Sequence, residues 1–216
     1  MKTAVHSIPS ARAKSHVTHH VTVAAMLSAV AFVLMFIEFP IPLMPSFIKM
    51  DISDLPALLG AFALGPVYGV AIELMKNLLH ILIKGTSSAF VGELSNFLLG
   101  ASFTFVAGLL YKYRKDRKGA ILASLSGALL MGLICVPVNY FLVYPAYVVC
   151  YGMPMEAIVG MYQAILAPIA AIPTDNALLN CLLVFNLPFT FFKGMVDVLI
   201  CFLIYKPLSP ILHGKH

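Results

Sequence analysis

From Gly119 to Tyr147 the chain carries no charged side chain. A helix over that run is longer than the roughly 20 residues that cross a hydrocarbon core about 30 Å thick. Comparable runs recur, and six spans can be drawn at 18–38, 54–68, 69–84, 90–111, 119–147 and 177–205, the second and third short and separated by "ALGPVYG". The composition agrees: 61% of the 216 residues are hydrophobic and 11% charged, against about 25% charged in soluble domains. The expected fold is an all-α integral membrane protein, a six-transmembrane-helix bundle. It divides into an N-terminal tail (1–17), one membrane domain (18–206) and a C-terminal tail (207–216). The first apolar run is long for a signal peptide, lacks a small-residue cleavage site and ends in Pro-rich sequence, so it reads as a retained span.

Between the first two runs, "PIPLMPSFIKMDISD" carries three prolines and two aspartates. Proline removes a backbone donor and breaks a helix, so this stretch is expected to be a structured loop. Lys112, Arg114, Lys115, Arg117 and Lys118, with Lys2, Arg12, Lys14, Lys206 and Lys215 in the tails, put ten of the fourteen basic residues on one side of a six-span chain. By the positive-inside rule that side is cytoplasmic, with both termini, in a multi-pass protein of the cell membrane. Topology thus accounts for the net charge of +5, and no nucleic-acid partner is indicated. Tyr111 and Tyr113 at one boundary, and Tyr144, Tyr147 and Tyr151 at the other, suit interfacial belts in the lipid bilayer. The Pro-interrupted stretch 148–176 is expected outside, carrying a short helix; a seventh span there is the alternative and would break the charge pattern.

Glu73, Lys76, Asn77 and His80 are spaced i, i+3, i+4, i+7, and Lys84 extends the row, so on a helix they form one polar stripe. Ionisable groups in a span usually face a bundle interior or a wet cavity and pair with one another. Glu73 and Lys76 are placed to neutralise each other, and the blander reading, that they only hold the bundle together, has even weight. His80 lacks metal-ligand companions and reads as a satisfied core histidine. Glu93 and Asn96 recur on the fourth span, Asn139 and Tyr140 on the fifth, and Thr190, Lys193 and Asp197 share a face of the sixth. One shared burial site lowers the desolvation cost of all of them together, which predicts a polar-lined pocket opening outward, with aromatic and Met-rich walls. Phe47, Met50, Phe97, Tyr140, Tyr144, Phe189 and Phe192 are wall candidates, although aromatics at such spacing are more often ordinary packing.

In "AAMLSAVA", Ala25 and Ala29 lie i, i+4 with Ala24, Ser28 and Ala31 beside them. Small residues let helices approach closely, either inside the bundle or against another membrane subunit. Four scattered cysteines show neither CxxC nor Cys/His spacing, so no metal site or disulfide framework is indicated. The chain has no HExxH, no GxxxxGK[ST] phosphate loop and no evident Ser/His/Asp set, which argues against an enzyme and yields no catalytic residues.

Five segments in order, "FIKMDISDLPALLGAFALGPVYGVAIELMKNLLH", "GELSNFLLGASF", "KYRKDRKGA", "VNYFLVYPAY" and "NLPFTFFKG", give residues 20–205 a strong resemblance to the substrate-binding S components of energy-coupling factor (ECF) vitamin transporters, and among them to the riboflavin-specific type. The resemblance implies a six-helix protein that captures riboflavin from outside. It also implies partnership with a transmembrane T component and two ABC-type ATPases, and no cofactor beyond the transported ligand. The family's first-helix Ala-x-x-x-Ala contact with the T component matches Ala25 and Ala29, its fifth-helix asparagine matches Asn139 and its sixth-helix lysine matches Lys193. Where the family often has asparagine one turn before that lysine, this chain has Thr190, whose reach is shorter; Asn186, two turns before Lys193, is placed to compensate. The expected ligand contacts are Asn139, Thr190 and Lys193, with Glu93, Asn96 and Tyr140 as further contacts and Leu43 and Phe47 in a loop that covers the pocket. An S component for thiamine, folate or biotin, and a self-contained secondary transporter, are the competing readings.

Overall fold

The structure is a computed structural model that describes residues 11–45, 48–86, 88–166 and 175–212; of 11–16, 166 and 206–212 only the backbone is described. Its helices are α1 (Ala11–Met35), α2 (Leu55–Ala63), α3 (Pro66–Lys84), α4 (Val91–Tyr113), α5 (Arg117–Val138), α6 (Tyr144–Tyr151), α7 (Met155–Leu166), α8 (Ala177–Cys181) and α9 (Leu187–Leu212). Among the described residues, five helical stretches are long and apolar enough to cross a membrane: Val17–Met35, Pro66–Lys84, Val91–Tyr113, Arg117–Tyr151 and Ala177–Tyr205. The expected sixth, at 54–68, is the nine-residue α2. The break falls earlier than expected, at Gly65, whose φ of 114° suits glycine, and Pro66 opens α3 where its missing N–H costs nothing.

Two of the long stretches are interrupted in the same way. The π-helical turns Asn139–Val143 and Leu182–Asn186 each end two residues before a proline, Pro145 and Pro188. Proline clashes with the carbonyl four residues back, and a widened turn ahead of it relieves that clash. α5 and α6 thereby form one helix through Tyr151, longer than the expected 119–147. α8 and α9 form another.

Between α1 and α2 the proline-rich stretch folds as an antiparallel pair, β1 (Phe39–Pro40) on β2 (Lys49–Met50). Lys49 lies at the level of Lys84, since both approach Glu38, whereas Asp54 lies at the level of Lys76. On α3 those lysines are eight residues apart, a descent of about 12 Å. The chain therefore dips from one end of the bundle to mid-depth before α2 carries it to the other end, where Phe62 meets Tyr111 and Tyr205. Non-helical backbone is tolerated at such depth where protein surrounds it, and Asp51, Ser53 and Asp54 are all buried.

Packing is close where side chains are absent. A Cβ on Gly69 would lie 2.7 Å from Ala61 Cβ, and one on Gly127 would lie 2.7 Å from the Phe103 carbonyl oxygen, the kind of approach that holds helices together in lipid. The main core joins α2, α4, α5 and α9 around Leu58, Phe103, Ala128 and Met131. A second cluster seats α7 by its fully buried Ile158 and Tyr162 against Tyr144, Leu182 and Phe185.

Candidate functional site

A cavity of about 180 Å³ opens among α4, α5, α9 and the end of β2, lined by Asp51, Asn96, Cys135, Asn139, Tyr144, Tyr147, Asn186, Phe189, Thr190 and Lys193 among others. It continues into an outer space of about 540 Å³ bordered by Glu38, His80, Lys84, Glu93 and Tyr151; Lys49, Asp51, Gly92, Asn96 and Tyr147 line both. Together they fall within the roughly 300–1,000 Å³ of small-molecule sites.

The π turns set the polar wall. Asn139, first residue of its turn, donates Nδ2–H to the Cys135 carbonyl at 2.8 Å and lies 3.1 Å from Cys135 Sγ; Thr190 Oγ1 is 3.1 Å from the same sulfur. Asn186, last residue of the other turn, accepts at Oδ1 from the Tyr162 hydroxyl at 2.7 Å and donates from Nδ2 to the Tyr144 hydroxyl at 3.1 Å, while the two tyrosine hydroxyls bond to each other. Burial pushes the Tyr162 phenol, on α7, well above its ordinary range, which keeps it a proton donor.

The floor is ionic. Lys193 Nζ sits 3.1 Å from Asp51 Oδ2 and 3.0 Å from Asp54 Oδ2. Behind it Lys76 pairs with Asp54, with Glu73 at 2.8 Å and with the Ser53 hydroxyl at 2.9 Å, and the Ser53 amide donates to Asp51 Oδ1 at 2.9 Å. The Glu73 carboxylate fills the space a side chain at Gly100 would need, where an added Cβ would be 2.4 Å from Oε2. Asp197 is fully buried, with neither oxygen hydrogen-bonded among the described residues.

At the mouth, Glu38 accepts from Lys49 at 2.6 Å and lies 3.3 Å from Lys84, tying the loop to α3. Partial burial works against its ionisation, but the Lys49 hydrogen bond and the Lys84 and Lys49 charges prevail and hold its carboxyl below the ordinary 4.5.

Of the residues singled out from sequence, Asn139, Thr190, Lys193 and Asn96 line the inner cavity. Glu93 borders only the outer space, accepting from Thr86 at 3.0 Å and Ser88 at 2.9 Å with His80 Nδ1 at 3.5 Å. Tyr140 packs into the α7 cluster, its ring 4.9 Å from Phe141. Leu43 is exposed, and Phe47 lies outside the described residues. Tyr144 and Phe189 do form wall, whereas Phe192 is exposed. Ala25 and Ala29 lie on an exposed face of α1. Sequence reasoning passed over Asp51, Asp54 and Cys135; the two aspartates were visible as charges inside an otherwise apolar loop-and-helix stretch.

A polar cavity sunk among membrane helices, closed below by a buried ion network, defines a membrane-embedded small-molecule-binding protein. The chain belongs to the family described as ECF transporter, substrate-specific component, whose sequence profile matches residues 19–205, and is thus a transporter component and not an enzyme. It is 33% identical over 189 residues to the riboflavin transporter FmnP of Bacillus subtilis (strain 168), spanning 87% of this chain and 90% of that one. To the riboflavin transporter RibU of Staphylococcus aureus (strain TCH60) it is 36% identical over 188 residues, spanning 87% and 89%. A solved structure described as the S component of a bacterial ECF transporter superposes with a TM-score of 0.67 at 33% identity, covering 92% of this chain and 99% of that chain.

Proposed function

We propose that this protein captures riboflavin and delivers it through an ECF-type importer, working with a T component and two ABC-type ATPases. The carrying observation is the inner cavity, where Asn139, Asn186, Thr190 and Lys193 face Tyr147 and Phe189, in a chain whose relatives at 33–36% identity are named riboflavin transporters. Flat aromatic side chains suit an isoalloxazine ring, carboxamides supply both donors and acceptors for its edge and the ribityl hydroxyls, and Lys193 supplies a cationic donor. Asn139, Thr190 and Lys193 grip the ligand, Asn96 and Glu93 contact it nearer the mouth, Tyr140 supports that wall, and Leu43 and Phe47 belong to the covering loop.

The dipping loop and α2 together make one crossing, which brings the count to six and puts both termini on one side. His20 near the start of the apolar stretch of α1, Tyr68 of α3, Tyr111 near the end of α4 and Tyr205 at the end of the apolar stretch of α9 gather at the end of the bundle that carries the basic 112–118 cluster. That end is cytoplasmic by the positive-inside rule, so the cavity opens outward. The exposed Ala25 and Ala29 face is the surface for the T component, because small residues permit close helix approach.

Uptake of labelled riboflavin into proteoliposomes containing this chain together with T component and ATPases, and no uptake by the chain alone, is the expected result; ATP-independent uptake by the chain alone would favour a secondary transporter.

A further inference from the structure

The loop between α1 and α2 reaches the site at Asp51. Lys49 and Asp51 line both the inner cavity and the outer space, while Met50 between them is buried in the core, the alternation of extended chain. The two oxygens of Asp51 serve different partners. Oδ1 accepts from the Ser53 amide at 2.9 Å, a turn within its own backbone, and Oδ2 accepts from Lys193 Nζ at 3.1 Å. The turn thus fixes the carboxylate independently of Lys193. The other carboxylates near this lysine lie off the lining of both spaces. Asp54 Oδ2 is 3.0 Å from Nζ without hydrogen-bond alignment, and Asp54 also pairs with Lys76. Asp197 follows Lys193 by one turn of α9 and is fully buried, with neither oxygen hydrogen-bonded among the described residues.

We propose that Asp51 is a positioning residue for Lys193: from the loop it holds the ammonium at the cavity wall, aimed to donate to an acceptor atom of the bound ligand. An ammonium carries three donors on a flexible stem, so its direction is set by the acceptors around it. The bond to Asp51 takes one hydrogen and leaves others for the cavity that Lys193 lines. Without that bond, the carboxylates left to Lys193 are Asp54 and Asp197, and both draw it out of the ligand space into the ion network. Asp51→Asn removes this bond while keeping the size of the side chain. The Ser53 amide requires an oxygen, so the carboxamide turns its NH2 group toward Lys193, donor against donor.

This inference rests on the flavin reading of the site. The test is riboflavin titration, followed by quenching of flavin fluorescence, of purified wild type, Asp51→Asn, Lys193→Met and the double variant, each checked for a cooperative thermal transition without ligand. Asp51→Asn is expected to raise the Kd about tenfold or more, the scale of a hydrogen bond to a charged group. In the Lys193→Met background it should change the Kd by less than about twofold, the limit within which independent effects are measured. An unchanged Kd in Asp51→Asn overturns the inference. An equal loss in both backgrounds also overturns it, because Asp51 would then touch the ligand itself or merely support the fold. If Asp51→Asn does not fold, Asp51→Ser is read by the same two criteria, since serine keeps an oxygen for the Ser53 amide and stops one bond short of the Lys193 contact. Failure of the wild type to bind riboflavin would instead sink the proposed function.

Discussion

Replacing Lys76 by methionine keeps the length of the side chain and removes its charge. Lys76 is fully buried and serves Asp54, Glu73 at 2.8 Å and Ser53 at 2.9 Å. After the change Asp54 keeps Lys193 at 3.0 Å, whereas Glu73 keeps no ion-pair partner among the described residues. Removing one partner of a buried pair costs about 3–5 kcal/mol, because the other charge stays desolvated. At roughly 2–4 °C per kcal/mol for a chain of this size, the midpoint should fall by roughly 6–20 °C. The assay is thermal unfolding in detergent of ligand-depleted protein, since bound ligand raises the midpoint by mass action. Lys76→Met with Glu73→Gln should be more stable than Lys76→Met alone, because the stranded charge is gone. A Lys76→Met midpoint within about 2 °C of wild type, at most about 1 kcal/mol, would show that Lys76 does not hold a buried charge in place. A double variant that loses the sum of both singles would show the same.

Lys193→Ala should weaken riboflavin binding roughly 10- to 150-fold, the scale of a charged hydrogen bond, in the same titration; an unchanged Kd for both Lys193→Ala and Asn139→Ala would remove the site assignment. Glu38 has a lowered folded pKa, so the tie it makes between loop and α3 is fully present above its ordinary 4.5 and is lost as pH falls through the lowered value. Riboflavin release by stopped flow should therefore accelerate in acid for wild type, and be fast and pH-independent over that window in Glu38→Gln; identical profiles would show that the tie does not restrain the mouth. Gly100→Ala forces a methyl into the Glu73 carboxylate and should cost about 1–3 kcal/mol by overpacking, read as a lower unfolding midpoint; wild-type stability would mean that Glu73 has another place to go.

Much of this fold is legible in the sequence because lipid imposes so plain a rule: long apolar runs must be helices. The stretches ending at Met35, Lys84, Tyr113 and Tyr205 fall close to where hydropathy puts them. The α2 region escapes that rule. Its nine-residue helix is preceded by irregular chain whose carboxylates pair with Lys76 and Lys193, residues distant in sequence, so no local window reveals it. The polar stripe on α3 was readable from its spacing, and Glu73, Lys76, Asn77 and His80 are indeed all buried. What spacing could not supply was the partner: Lys76 looked like the mate of Glu73 alone, and the third corner is Asp54, 22 residues earlier. The π turns are likewise hidden, because a proline announces a disturbed helix without telling which residues the widened turn redirects. Asn139 and Asn186 reach the same cavity through two such turns, and Tyr162 reaches Asn186 from α7, a short helix expected within 148–176 whose partner no spacing announces.

Riboflavin capture is tested most directly by equilibrium titration of ligand-free wild-type protein with riboflavin, following flavin fluorescence, and by the visible absorbance of the protein as purified from riboflavin-replete cells. A yellow preparation and saturable quenching at one site per chain are expected. A colourless preparation with no quenching at any riboflavin concentration would contradict riboflavin capture, and would leave a membrane S-component fold whose cavity is built for another vitamin.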